Sequence, residues 1–211
     1  MARAVSGLLV GVAILVATTS ALASTTLTAT IADTNENPAT VPTLIDGTTP
    51  RPASFGTATF VLNDAQTAMT FSAEIHNIDF TGTQSPDIND DLTAAHIHAG
   101  PAWPPTNAGV VWGFFGSPFN DNNPNDVVVT PFATGVGGTI SGKWDAPEGN
   151  NTTLAAQLSN ILNGHSYINF HTHQFPGGEM RGTLVVTPEP ASLALLGLGS
   201  LLVARRRRHR D

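Results

Sequence analysis

The chain has 211 residues, 41% hydrophobic and 12% charged, with a formal net charge of −7 and no cysteine. Disulfide scaffolds, thiol catalysis and cysteine-ligated zinc or iron–sulfur sites are therefore excluded. Glycine (20), proline (15) and 27 threonines against a single lysine, Lys143, disfavour a helical bundle and favour strands joined by frequent turns.

Residues 1–23 read as a secretory signal. Arg3 gives the positive start, Val5 to Ala17 the short apolar segment, and Ala21-Leu22-Ala23 the small-x-small cleavage pattern. Ser24 is then the expected mature start. From there period-2 patterns dominate. Leu27, Ala29 and Ile31 alternate with threonines, a loop fills 33–53, and Phe55 to Leu62 forms a second strand. Met69, Phe71, Ala73 and Ile75 make one face of a third strand. An acidic loop at 79–93 precedes short strands expected at 94–99, 109–115, 127–132 and 138–144. Leu154, Leu158, Ile161 and Leu162 recur at helical spacing, with Gly164 as a C-cap, so one short helix is expected there. His165 to His173 and Glu179 to Val186 then read as a hairpin across Phe175-Pro176-Gly177-Gly178. Short strands with one helix predict an all-β fold, a β-sandwich or Greek-key barrel.

The C-terminal end has a different logic. Pro188-Glu189-Pro190 breaks regular structure, Ala191 to Ala204 is apolar, and Arg205, Arg206, Arg207, Arg208 and Arg210 follow. Fourteen helical residues span ~21 Å, short of a ~30 Å hydrocarbon core. Physics alone reads a marginal stop-transfer helix, its arginines held on the cytoplasmic side. The ordered features of residues 188–210 resemble the PEP-CTERM sorting signal of bacterial exported proteins. That resemblance implies export, transient anchoring in the membrane, and handling by an exosortase-type sorting enzyme. The competing reading is a permanent tail anchor. The expected organisation is a signal peptide at 1–23, one domain at 24–187, and a sorting signal at 188–211.

Within 24–187, Arg51, Lys143 and Arg181 stand against fourteen carboxylates, a formal net charge of −11. Such a surface rejects phosphate backbones, so nucleic acid is excluded as a partner. Four histidines form two His-x-His pairs, His96-Ile97-His98 and His171-Thr172-His173. In a strand, residues i and i+2 share a face about 6.6 Å apart. Both imidazoles of a pair can turn toward one ion, to which nitrogen ligands make ~2.0–2.1 Å bonds. Equally, such pairs serve as exposed polar residues satisfied by Thr, Asn and Glu neighbours. His76 and His165 are assigned to the surface or to local hydrogen bonding.

These histidines lie in strings that carry a second resemblance. Ala95-His96-Ile97-His98-Ala99-Gly100-Pro101, Gly164 to Thr172, and Pro176-Gly177-Gly178-Glu179-Met180-Arg181-Gly182 are similar to the signature blocks of the CHRD (chordin-type) domain. The likeness spans about residues 25–186 and implies an immunoglobulin-like sandwich with limited similarity to copper/zinc superoxide dismutases. His173 and Gln174-Phe175 depart from the small residues associated with those positions. With no disulfide and no zinc-binding subloop, dismutase activity does not follow.

Glu179 and Arg181 read either as an ion pair closing the hairpin or, for Glu179, as a carboxylate fixing an imaginable ligand imidazole from behind. Register decides. A four-residue loop pairs Gln174 with Glu179, whereas a three-residue loop pairs His173 with Glu179 and His171 with Arg181. The loops at 87–91 and 121–126 begin like calcium loops but lack the glycine and glutamate of an EF-hand, leaving weak surface calcium at most. Trp103, among prolines, reads as a sugar-stacking residue or as local packing. Trp112, Phe114 and Phe115 read as core. No Ser-His-Asp arrangement or phosphate loop is recognisable. Three functions follow: a non-enzymatic interaction module for envelope or matrix components; a copper or zinc protein, with redox chemistry as an option, using His96, His98 and His171 with His173 as a further ligand; and a glycan binder acting through Trp103 and the Asx-rich loops.

Overall fold

The computed structural model describes residues 24–102 and 106–188. The expected signal segment, Trp103, and the tail from Glu189 on, with its apolar segment and arginines, lie outside the described residues. Among the described residues ten strands form: β1 Thr25–Ala32, β2 Phe55–Leu62, β3 Ala68–His76, β4 Leu92–Ala99, β5 Val110–Phe115, β6 Val128–Pro131, β7 Gly137–Asp145, β8 Ser166–Thr172, β9 Met180–Thr183 and β10 Val185–Val186. One α-helix, α1 Leu154–Leu162, lies between β7 and β8. The fold is all-β with one short helix, as the periodicities predict. No helix among the described residues is long and apolar enough to cross a membrane.

The strands pair in the order β5-β4-β8-β9-β1-β2-β3-β7-β6, with β10 on β1. All named pairings are antiparallel. The two layers are thus one curled sheet, joined where β9 meets β1 through the single pair Arg181 and Ala32. Curling brings the inner faces together. Trp112 of β5 stacks on Trp144 of β7 at 5.6 Å, and Phe71 of β3 meets Phe114 of β5 at 4.6 Å. Large side chains buried this way contribute about 1.5–3 kcal/mol each. The indoles are also satisfied: Trp144 donates to the Glu148 carbonyl at 2.8 Å and Trp112 to its carboxylate at 3.3 Å. The Thr153 hydroxyl caps α1 by accepting from Ala156 N–H, while Leu154 and Ile161 turn into the core. Gly164 ends the helical turn at φ +75°, as a C-cap glycine should.

Two expectations need correction. Neither predicted hairpin register forms; Phe170 lies opposite Met180, and Asn169 opposite Arg181. The reason lies outside the hairpin. The backbone N–H groups of His173 and Gln174 donate to the carbonyls of Asp91 and Asn89, so β8 stops at Thr172. The final strand is also not continuous to Val186. Leu184 is fully buried and donates to the Ser166 carbonyl, which splits it into β9 and β10.

Candidate metal centre

Strand pairing alone assembles the centre. Opposite residues in an antiparallel pair share a face, and β4 sets His96 opposite Asn169, His98 opposite Tyr167 and Ala94 opposite His171. Ile97 and Ile168 point to the core, so the imidazoles project from the outer face of the sheet. They are nevertheless buried, at 3%, 7% and 7% exposure for His96, His98 and His171. One ligand nitrogen from each lies within 4.8 Å of the others. His173 does not join them: it is exposed and lies near Asp91.

Three backbone carbonyls fix the rings. His98 Nδ1 donates to Ala108 O at 2.9 Å, His171 Nδ1 to Pro176 O at 3.0 Å, and His96 Nε2 to Ser117 O at 3.1 Å. A carbonyl only accepts, so each of these nitrogens carries the proton of its neutral ring. The remaining nitrogens, His96 Nδ1, His98 Nε2 and His171 Nε2, are then lone pairs turned inward. His96 Nδ1 and His171 Nε2 stand 3.1 Å apart, and His98 Nε2 is buried without a hydrogen-bond partner. Protonation is disfavoured as a remedy. Burial, then the neighbouring His171 and His98, lowers the His96 pKa to about 4. Burial lowers His98 to about 4, with His171 and Arg181 adding to the effect, and burial lowers His171 also. Converging lone pairs without a proton fit a cation. Two ~2.1 Å bonds to one ion span at most ~4.2 Å, so a pair at the 4.8 Å limit must draw together for the trio to load an ion. Imidazole donors suit copper and zinc.

Around the trio, Tyr167 stacks on the His98 ring at 4.8 Å and 8°, and the Arg181 guanidinium sits 4.7 Å over Tyr167. Glu179 and Arg181 do not pair with each other. Glu179, fully buried, takes both terminal nitrogens of Arg51 and the Thr172 hydroxyl. Arg181 reaches Glu36 at 3.5 Å, the Asn35 carbonyl and the Asn107 amide. Glu179 makes no hydrogen bond to an imidazole. Carbonyls orient the rings instead. Sequence reasoning had no signal for Arg51 or the three carbonyls, because loop paths place them.

The Asx-rich loops use their carboxylates to fold. Asp79 accepts backbone N–H groups from Thr81, Gly82, Gln84 and Ser85, and Asp90 accepts the Ser85 hydroxyl. Asp79, Asp90 and Asp91 lie close together, and burial pushes Asp90 up to about 6. At 121–126, burial and then Glu148 and Asp126 push Asp121 up to about 6. His76 bonds Glu74 at 3.0 Å. Trp112 and Phe114 are core, with Phe115 packed at its edge.

A family model described as the CHRD domain matches residues 23–184, and one described as the PEP-CTERM protein-sorting motif matches residues 186–208. The second match marks an exported, exosortase-targeted chain with transient anchoring at its C-terminus. Comparison with the curated proteins and with the solved structures gave no significant match.

Proposed function

The chain belongs to the CHRD domain family, and on that premise we propose that it acts after export as a non-enzymatic module holding one copper or zinc ion through His96, His98 and His171. The observation carrying this reading is the set of three inward lone pairs, each fixed because the other nitrogen of its ring donates to a carbonyl. When bound, the ion would supply a positive charge that links β4 to β8. The chain's own residues do the rest. Ala108, Ser117 and Pro176 hold the tautomers, Tyr167 props the His98 ring, and the surrounding loops exclude water. Burial of all three rings restricts the access of a substrate to the ion, which supports retention of the ion over turnover.

Metal that binds the folded state stabilises it by about 2.7 kcal/mol at a hundredfold excess over the dissociation constant. Thermal melting with and without Zn²⁺ or Cu²⁺ tests this on wild type and on His96→Ala, His98→Ala and His171→Ala. Wild type should melt higher with metal, and each variant should lose the increment. An unchanged wild-type melting temperature would remove the metal reading.

A further inference from the structure

Outside the histidine region, the outer faces of β1, β2, β3 and β7 lie open. Pairing sets Thr28, Thr59, Ser72 and Ser141 side by side in one row. The next row sets Thr30, Thr57, Glu74 and Thr139 side by side. Adjacent strands lie about 4.8 Å apart, so the hydroxyls form a regular array. All eight side chains are exposed or half-buried. A third row ends in an aromatic shelf: Phe55, 51% exposed, stacks on its cross-strand partner His76 at 4.6 Å and 9°. The Phe132 ring lies 5.0 Å from that of His76. At the β1 side the array runs into a cleft of about 640 Å³, lined by Thr28, Thr30, Thr34, Asn35, Arg181 and Thr183 among others.

The chemistry of this surface is specific in what it lacks. The domain carries a formal charge of −11, yet the two hydroxyl rows contain one ionisable side chain, Glu74, which hydrogen-bonds His76. Arg181, in the cleft, faces Glu36. Lys143, on the same face of β7, is held by Asp126 and Asp145, so an anionic polymer finds each of these cations already paired, and a cationic one finds its carboxylates in the loops instead. Hydroxyls that both donate and accept match sugar hydroxyls, and the exposed Phe55 ring offers an apolar platform for the C–H face of a pyranose.

We propose that this open face binds a neutral polysaccharide, laid from the cleft beside Arg181 across the threonine rows to the Phe55 shelf. Affinity gel electrophoresis of the full chain tests it, with dextran, laminarin or galactomannan as neutral probes and alginate as the anionic control. At least one neutral glycan should retard wild type, and Phe55→Ala or Thr59→Asp, melting like wild type, should weaken that retardation at least tenfold. Retardation should be the same with and without a chelator in the gel, which separates this face from the metal centre. The proposal is overturned if no neutral glycan retards the protein, if alginate retards it as strongly, or if both surface variants bind unchanged.

Discussion

The same outer face of one sheet has two fates. Along the row His96, Asn169, Arg181, Ala32, Phe55 and His76, every side chain projects outward. Over β4, β8 and β9, segments of the 33–54 and 100–109 loops roof the row, through Asn35, Asn107 and Ala108 bonding to Arg181 and His98. Over β2 and β3 no segment among the described residues does, and Phe55 is half exposed. The lesson concerns polar groups. Under the roof each must find a partner or carry a free-energy penalty, which is why Glu179 holds Arg51 and the imidazoles hold carbonyls. In the open region, water satisfies the threonines, and β-branched side chains suit the strand without further demands.

The strongest way to break the contrast is to unpair the roof. Arg51→Met leaves Glu179 buried without its guanidinium, and should cost about 3–5 kcal/mol in denaturant unfolding. Next in size is the metal increment, about 2.7 kcal/mol, or roughly 5–11 °C in melting temperature for a domain of this size. It should vanish in His171→Ala.

A smaller effect sharpens the comparison through pH. His96 and His98 titrate at about 4 when folded, against ~6.5 unfolded. Between those values the unfolded chain binds more protons, so stability complete above ~6.5 is lost as pH falls toward 4. His98→Phe keeps an aromatic ring against Tyr167 and removes one titration. Its metal-free unfolding free energy should fall about 2 kcal/mol less than that of wild type between pH 7 and 4.5. Asp90, raised to about 6 by burial, acts in the opposite sense but is common to both proteins. The smallest effect belongs to the open face. Thr59→Val should change unfolding free energy by less than about 0.5 kcal/mol.

Much of this was legible in the sequence where one strand or helix decided the outcome. Alternation over Phe55–Leu62 gave the strand its observed bounds, and the helix at Leu154–Leu162 formed as its spacing requires. Placing His96 and His98 on one face followed from strand geometry. What stayed hidden depends on contacts between distant segments. Closure of the layers into one sheet rests on the pair Ala32 and Arg181. The hairpin register depends on Asp91 and Asn89 capturing the backbone of His173 and Gln174. The Arg51 clamp on Glu179 spans 128 residues of sequence. Local pattern carries no record of such pairings.

The central claim is that His96, His98 and His171 hold one ion. Elemental analysis of the full chain, purified without chelator or histidine tag and dialysed against metal-free buffer after loading, tests it most directly. The account predicts close to one copper or zinc per chain in wild type and almost none in His96→Ala. A metal-free wild type, or a His96→Ala protein that retains the same metal content, would contradict it.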